Sequence, residues 1–214
     1  MPLIPAFRAA AQQRGLIAEG DGIDATRAFR LVRDMPYRRA SSRAPETTID
    51  EWTGTCSGKH YLLKALIEEL GFATSLIACT HQFTAENSPW LPPELLAHLA
   101  DGPMPDVHQF LRVESNRDAA DGAWMTVDAT WPLAARDLGL PTNEQWELGR
   151  DMTVAADIDE LFHTPDDIDP QEFKNLIIER EIGDQMQRRD RFIEALSDWL
   201  GAAIPDSPSA QHNT

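Results

Sequence analysis

At 214 residues, with 42% hydrophobic and 25% charged residues, the chain has the length and composition of one globular domain with a substantial buried core. Its formal net charge of −16 disfavours nucleic acid and anionic membrane surfaces as partners, because both carry negative charge. Only two cysteines, no apolar run of membrane-spanning length and no apolar leader near Met1 predict a reduced, cytoplasmic protein without membrane contact.

Basic residues are concentrated near the N-terminus, where residues 1–50 carry eight arginines against six acidic residues. Six of them lie close together: Arg27, Arg30, Arg33, Arg38, Arg39 and Arg43. They form either a docking site for an anionic partner or the surface that meets the acidic remainder of the chain. We favour the second interpretation.

Hydrophobic spacing and turn residues predict the elements of the first half of the chain. These are helices over 7–18 and 23–35, a polar loop over 36–48, a helix over 56–70, a strand over 72–80, and a connection over 82–106 with a short helix at 93–100. The helix over 56–70 repeats leucines at helical spacing and stops at Gly71. A connection as long as 82–106 is often a substrate-side loop.

The second half begins with two strands and continues mainly as helix. The predicted elements are strands over 107–114 and 124–129 with a turn at 116–122, and helices over 143–150, 157–162, 170–182 and 188–201. The apolar residues expected to face the core are Leu161, Phe162, Phe173, Leu176, Ile177, Phe192, Leu196, Trp199 and Leu200. The Pro/Ser-rich segment 204–214 is expected to be a disordered tail. The pattern is that of an α+β domain.

Cys56 is the first candidate for chemistry, since it opens the helix over 56–70. A cysteine at a helix N-terminus is acidified by the free backbone N–H groups and the helix dipole. Its neighbours are Thr, Ser, Gly and Lys rather than apolar residues, and Gly54 and Gly58 permit close backbone approach on both sides. The pattern favours a nucleophile over a buried structural thiol, whereas Cys79 lies in an apolar strand and is expected in the core.

His108 and Asp128 lie on the two later strands and are candidates for the base and its orienting partner. A cross-strand pair brings two such side chains within reach of each other. His60, one helical turn after Cys56, is the serious rival base, and His81 at the end of the first strand is another.

These segments, taken in order, resemble the transglutaminase-like superfamily over about residues 49–134. The matching pieces are GTCSGKH at 54–60, VHQFLRV at 107–113 and WMTVDATW at 124–131. The resemblance implies a papain/transglutaminase-like α+β fold in a single domain over 1–203. In that fold the catalytic cysteine starts a helix packed on an antiparallel sheet, here with extra N- and C-terminal helices. It also implies that Cys56 is the nucleophile, His108 the base and later acid, and Asp128 the orienter.

The resemblance further implies attack on an amide or peptide carbonyl through an acyl-thioester, followed by release to water or an amine. Hydrolysis is favoured over crosslinking, because no complete calcium loop is present. Neither a zinc spacing nor a complete phosphate loop is found, so no metal or cofactor is expected. The alternatives are a catalytically inactive binding protein that uses its acidic surface or arginine-rich segment, and acyl transfer from a small thioester donor as in arylamine acetyltransferases.

Four further residues are candidates for the substrate pocket. Trp52 and Trp131 flank the matching segments and would line an acyl groove or, equally well, anchor the core. Tyr37 is a candidate oxyanion donor. Ser57 belongs to the first helical turn, whose N–H groups could form an oxyanion hole. The sequence predicts a peptide or amide-containing substrate and does not predict the oligomeric state.

Overall fold

The computed structural model describes residues 2–115, 123–165 and 167–204, and it shows an α+β protein. The predicted turn at 116–122 and the predicted tail beyond residue 204 lie outside these residues. The described residues form seven α-helices: α1 (Leu3–Gln13), α2 (Ala25–Arg33), α3 (Pro45–Glu51), α4 (Cys56–Glu69), α5 (Pro93–Leu96), α6 (Pro170–Glu181) and α7 (Met186–Ala203).

The described strands form one antiparallel sheet in the spatial order β3-β2-β1-β4. They are β1 (Thr74–Phe83), β2 (Met104–Glu114), β3 (Trp124–Val127) and β4 (Glu160–His163). The register of β1 and β2 places Cys79 opposite His108 and His81 opposite Asp106. Because opposite residues project from the same face, the sheet gathers these four side chains on one side.

The apolar side of α4 packs against the sheet. Leu63 and Leu66 of α4 are fully buried in one cluster with Leu76 and Leu111, and α1 contributes Phe7 to the same cluster. Burying a side chain of this size is worth about 1.5–3 kcal/mol. This packing therefore fixes α4 against the sheet and, with it, the position of Cys56 at the start of the helix.

A second cluster joins α5 and α7 to the residues that follow β3. Phe192 and Leu196 of α7 are fully buried with Leu95 and Trp131. The apolar face predicted for the last helix is therefore confirmed. On α6 the burial of Ile177 is confirmed, but Leu176 is 52% exposed, so its predicted place in the core was wrong.

Residues 143–150 do not form the predicted helix. The buried guanidinium of Arg33 donates to the carbonyl of Asn143 at 3.1 Å and also to that of Glu144. The Asn143 side chain pairs with both backbone groups of Thr153, at 2.8 and 3.1 Å. These tertiary bonds hold the segment in an open conformation and occupy carbonyls that a helix would use.

Residues 157–162 do not form a helix either, because β4 pairs with the free edge of β1. Ile77 lies opposite His163 and Thr80 opposite Glu160. The strand lies at an edge of the sheet, and Leu161 is 52% exposed there rather than buried. The hydrogen-bonding edge of β1 decides the conformation of this short segment against its helical pattern.

Two N-terminal predictions also differ from the structure. The first helix begins at Leu3, because the Glu69 carboxylate at the end of α4 accepts the N–H groups of Leu3 and Ile4, the latter at 3.1 Å. The segment predicted as a loop over 36–48 contains the start of α3, whose first residue is Pro45. Proline suits that position because its fixed φ and missing N–H cost nothing in the first helical turn.

Candidate active site

Cys56 is the first residue of α4 and is reached by a sharp reversal of the chain after α3. Trp52 ends α3 in the left-handed region at φ 52°, and four residues later α4 begins. A Cβ on Gly54 would lie 3.1 Å from the backbone nitrogen of Lys59, so glycine lets this loop pass close to the helix. Gly58 similarly lies close to Thr48, where a Cβ would come within 3.3 Å of the hydroxyl oxygen.

His108 and Asp128 meet where β2 passes the end of β3. Val127 is the last residue of β3 and pairs with Leu111, so Asp128 lies just beyond the strand and projects to the opposite face. The His108 Nε2–H group donates to Asp128 Oδ2 at 2.8 Å, and both side chains are buried. The structure therefore brings the two predicted partners together.

Cys56 and His108 form the other half of the constellation. His108 lies close enough to Cys56 for its imidazole to lower the pKa of the thiol. Since Nε2 of His108 bonds Asp128, Nδ1 is the ring nitrogen left for the sulfur. The order sulfur, imidazole, carboxylate is that of a nucleophile, a base and its orienting group.

The pKa values follow from burial and from these contacts. Burial opposes ionisation of Cys56, but the charges of Lys174 and His108 outweigh it and lower the thiol pKa to about 5. Burial likewise opposes the imidazolium, but Asp128 and Cys56 raise the His108 pKa to about 10. Despite burial, the Asp128 pKa is held well below its usual range by His108. Between pH 5 and 10 these shifts favour a thiolate–imidazolium pair.

Backbone donors hold the Asp128 carboxylate in place. Its Oδ1 accepts the N–H of Thr130 at 2.9 Å, and its Oδ2 accepts the N–H of Ala155 at 2.8 Å. The Asn143 amide donates to the Asp128 carbonyl at 3.0 Å. The open segment that replaces the predicted helix therefore supports the orienting residue.

Both ring nitrogens of His60 are engaged by backbone groups. Its Nε2 accepts the backbone N–H of Ala129 at 2.9 Å, so the ring proton lies on Nδ1, which donates to the carbonyl of Cys56 at 2.7 Å. Burial lowers the His60 pKa to about 4, although Asp128 opposes this shift. The neighbouring Lys59 is buried and donates to the carbonyl of Thr130 at 3.0 Å. Together they clamp the backbone that follows Asp128 onto α4.

Replacing His60 with phenylalanine is expected to lower the free energy of unfolding by about 1–3 kcal/mol, because two buried backbone groups lose their partners. The folded ring resists protonation, whereas the ring in the unfolded chain takes up a proton near pH 6.5. The wild type therefore loses free energy of unfolding as the pH falls from 6.5 to about 4. The variant should lack this part of the pH dependence. Urea unfolding at pH 7 and pH 5 measures both effects. If the variant instead loses the low thiol pKa of Cys56 while His108 variants keep it, His60 is the base.

Lys174 is a functional candidate that sequence reasoning missed. It projects from α6 into the site, is buried, donates to Ser57 Oγ at 2.8 Å and lies 3.6 Å from Cys56 Sγ. Burial lowers the Lys174 pKa, although Cys56 and Asp106 oppose this shift. One signal was present in the sequence: Lys174 lies on the same helical side as the buried Ile177 and Ile178. A lysine on a buried helix face is unusual and points to an anionic partner.

A buried ion pair lies beside the sulfur. Arg189 of α7 donates through Nε to Asp106 Oδ1 at 2.6 Å, and burial of the carboxyl is outweighed by this arginine, which holds the Asp106 pKa far below its usual range. His81, the other rival base, lies with its Nε2 3.7 Å from Asp106 Oδ2. The carboxylate beside His81 is therefore Asp106, while His108 is the histidine that lowers the pKa of Cys56.

The four pocket candidates occupy different places. Tyr37 is buried, and its ring centroid lies 4.6 Å from that of Trp131. Burial and the negative charges of Cys56 and Asp106 raise the pKa of Tyr37. Ser57 accepts the bond from Lys174. Trp52 lies in the first core cluster, stacked on Phe7 at 5.4 Å.

The second cysteine shows the contrast with Cys56. Cys79 is fully buried on β1 in a cluster with Ile77 and Phe110, as expected from its apolar surroundings. Burial, together with the negative charge of Asp128, raises its pKa to about 12. Only Cys56 combines a low pKa with a histidine partner, and Cys79 can serve as an internal control.

No protein-family model matches the chain, and no curated protein matches it. In the part of the chain that the structure describes, no group of three or more histidine, cysteine, aspartate and glutamate side chains is arranged to hold a metal ion. No described helix has both the length and the apolar character needed to cross a membrane.

Proposed function

We propose that the chain is a cysteine-dependent acyl-transfer enzyme with a papain/transglutaminase-like fold that attacks an amide or peptide carbonyl. The observation that carries the proposal is the linked set Cys56–His108–Asp128 with a thiol pKa of about 5. A structural thiol gains nothing from a buried imidazole and a buried ammonium beside it, whereas both stabilise the thiolate of a nucleophile. A working thiolate must stay reduced, which agrees with the cytoplasmic location expected from the sequence.

The reaction follows from the groups present. The Cys56 thiolate attacks the carbonyl carbon, and the C=O electron pair moves to the oxygen. N–H groups of the first turn of α4 are free to donate to that oxyanion. The imidazolium of His108 then protonates the leaving nitrogen as the C–N bond breaks, which leaves an acyl-thioester on Cys56.

The second half returns the enzyme to its starting state. Neutral His108 takes a proton from water as the water oxygen attacks the thioester carbon. The C–S bond breaks, the thiolate returns, and the product is a carboxylic acid. Asp128 holds the ring and stabilises its positive charge in both halves without taking the proton. Hydrolysis is the outcome we favour, and an amine in place of water gives transamidation.

The pH dependence of thiol alkylation tests the proposal directly. We expect Cys56 to react with iodoacetamide with a midpoint near pH 5, while Cys79 stays inert below pH 9, because only the thiolate reacts. Mass spectrometry of peptides after timed reaction separates the two sites. A Cys56 midpoint at the ordinary value of roughly 8.5, or no reaction at any pH, contradicts the proposal.

Acylation of Cys56 is the second measurement. Activated esters, peptide amides and acyl-coenzyme A are offered separately, and a mass increase on Cys56 that hydroxylamine removes identifies the acyl-thioester. Cys79→Ala should retain the adduct and Cys56→Ala should lose it. Labelling by acyl-coenzyme A alone would support the small-thioester alternative. A low thiol pKa without any acylation would support the binding-protein alternative.

A further inference from the structure

A cleft of about 500 Å³ opens beside the start of α4. It lies between the segment that precedes α3 and the helices α6 and α7. Gly54, Thr55 and Gly58 line it, and these residues lie on both sides of Cys56. A molecule in the cleft therefore rests against the backbone that carries the sulfur.

The cleft is positively charged although the chain as a whole is strongly negative. Arg39, Arg43 and Arg189 line it, and the acidic lining residue is Asp190. Arg39 pairs with Asp190 at 2.9 Å, and Arg189 is engaged with the buried Asp106. Two of the three guanidinium groups are thus already matched by carboxylates of the protein.

Arg43 is the exception. It donates to the neutral amide of Gln171 on α6, and within the described residues it takes part in no ion pair. Gln171 engages one N–H donor of the guanidinium, which carries five, so the fork remains open to a carboxylate. Its charge acts on the site. Burial is the largest cause of the lowered pKa of Lys174, and the positive charges of Arg189 and Arg43 lower it further.

Arg43 also lines a second cleft. This cleft of about 500 Å³ shares Ser42, Arg43 and Gln171 with the first and continues along α4 past Tyr61. Two clefts that share these lining residues provide room on either side of the guanidinium for an extended chain.

We infer that Arg43 binds a carboxylate of the acyl substrate, so that the preferred substrate is an amide with an acidic group close to the scissile carbonyl. The carboxylate is either an acidic side chain or the C-terminus of a peptide. This inference rests on the proposed function, because it uses the cleft as the route to Cys56. It explains why a chain with a net charge of −16 keeps a cleft lined by three arginines beside its nucleophile.

Two alkylating reagents that differ only in charge test the inference. Iodoacetate and iodoacetamide both form an S–C bond with the thiolate and release iodide. At pH 7 we measure the rate at which iodoacetate alkylates Cys56 divided by the rate for iodoacetamide. The proteins compared are wild type, Arg43→Gln, Arg43→Lys and Arg150→Gln. Arg150 is an exposed arginine that does not line the cleft, so it serves as the matched control. Effects of His108 and Lys174 on the ratio are common to all four proteins.

We expect the ratio to fall about threefold or more in Arg43→Gln, with little change in Arg43→Lys and none in Arg150→Gln. An unchanged ratio in Arg43→Gln, with the Cys56 midpoint still near pH 5, overturns the inference and leaves the proposed function standing. A midpoint near that of a free thiol overturns the proposed function itself.

Protection of the wild type gives a second measurement that needs no folded variant. N-acetyl-glutamate should slow the reaction of Cys56 with iodoacetamide, and its uncharged diamide should not. N-acetyl-glutamine with a free α-carboxylate separates the two sources of the carboxylate from one another. Equal protection by all three compounds, or by none, contradicts a carboxylate site.

Discussion

Replacing His108 with alanine is expected to raise the thiol pKa of Cys56 from about 5 towards that of a free thiol and to slow acyl transfer by about 10³-fold or more. The variant loses the imidazole beside the sulfur, its positive charge and the proton donor for the leaving nitrogen. Iodoacetamide rates against pH report the first two losses, and the rate of acyl-thioester formation reports the third.

The wild-type profile should be bell-shaped. Activity rises as Cys56 ionises near pH 5 and falls as His108 loses its proton near pH 10, because the reacting form needs both charges. His163→Ala is the matched control, since His163 lies exposed on the edge strand β4. If His108→Ala keeps a thiol midpoint near pH 5, the imidazole is not the source of the acidity and the catalytic role of His108 is wrong.

Replacing Lys174 with methionine is expected to raise the thiol pKa of Cys56 by roughly one to three units. An ammonium 3.6 Å from the sulfur is the largest of the influences that lower this pKa, and a unit charge pair at such a distance is worth about 4 kcal/mol at an effective dielectric constant of 20. The low-pH limb of activity should therefore move to higher pH. The iodoacetamide profile and the pH dependence of acylation measure the two shifts.

The same variant separates a role in catalysis from a role in folding. Methionine fills a similar volume without a charge, so the free energy of unfolding should stay the same or rise, since a desolvated ammonium is removed. Lys64→Met is the control, because Lys64 pairs with Glu68 on the surface of α4. An unchanged thiol pKa in Lys174→Met would mean that Lys174 is neutral and only donates a hydrogen bond to Ser57.

Local patterns in the sequence predict the elements that carry the proposed triad. The leucine repeat of α4 and the stop at Gly71 are properties of neighbouring residues, and so is the alternation along β2. They place Cys56 at a helix start and His108 and Asp128 on or just after adjoining strands. The choice of Cys56 over Cys79 follows from the polarity of their immediate neighbours.

Long-range contacts decide what local patterns leave open. The helix predicted over 143–150 is replaced by an open segment, because Arg33 and Thr153 take up its backbone and side-chain groups. The fourth strand exists because β1 has a free edge, which no pattern within 157–162 reveals. The choice between His60 and His108 likewise depends on which backbone and carboxylate groups surround each ring in the folded chain.

What the sequence by itself determined is therefore the order of elements around the site and the identity of the three residues proposed for catalysis. Only the tertiary structure decided their electrostatics. Lys174 reaches the sulfur from 118 residues further along the chain, and Asp106 meets Arg189 across a separation of 83 residues. The pKa of a buried group depends on the charges that folding brings within a few ångströms, and sequence spacing does not specify those distances.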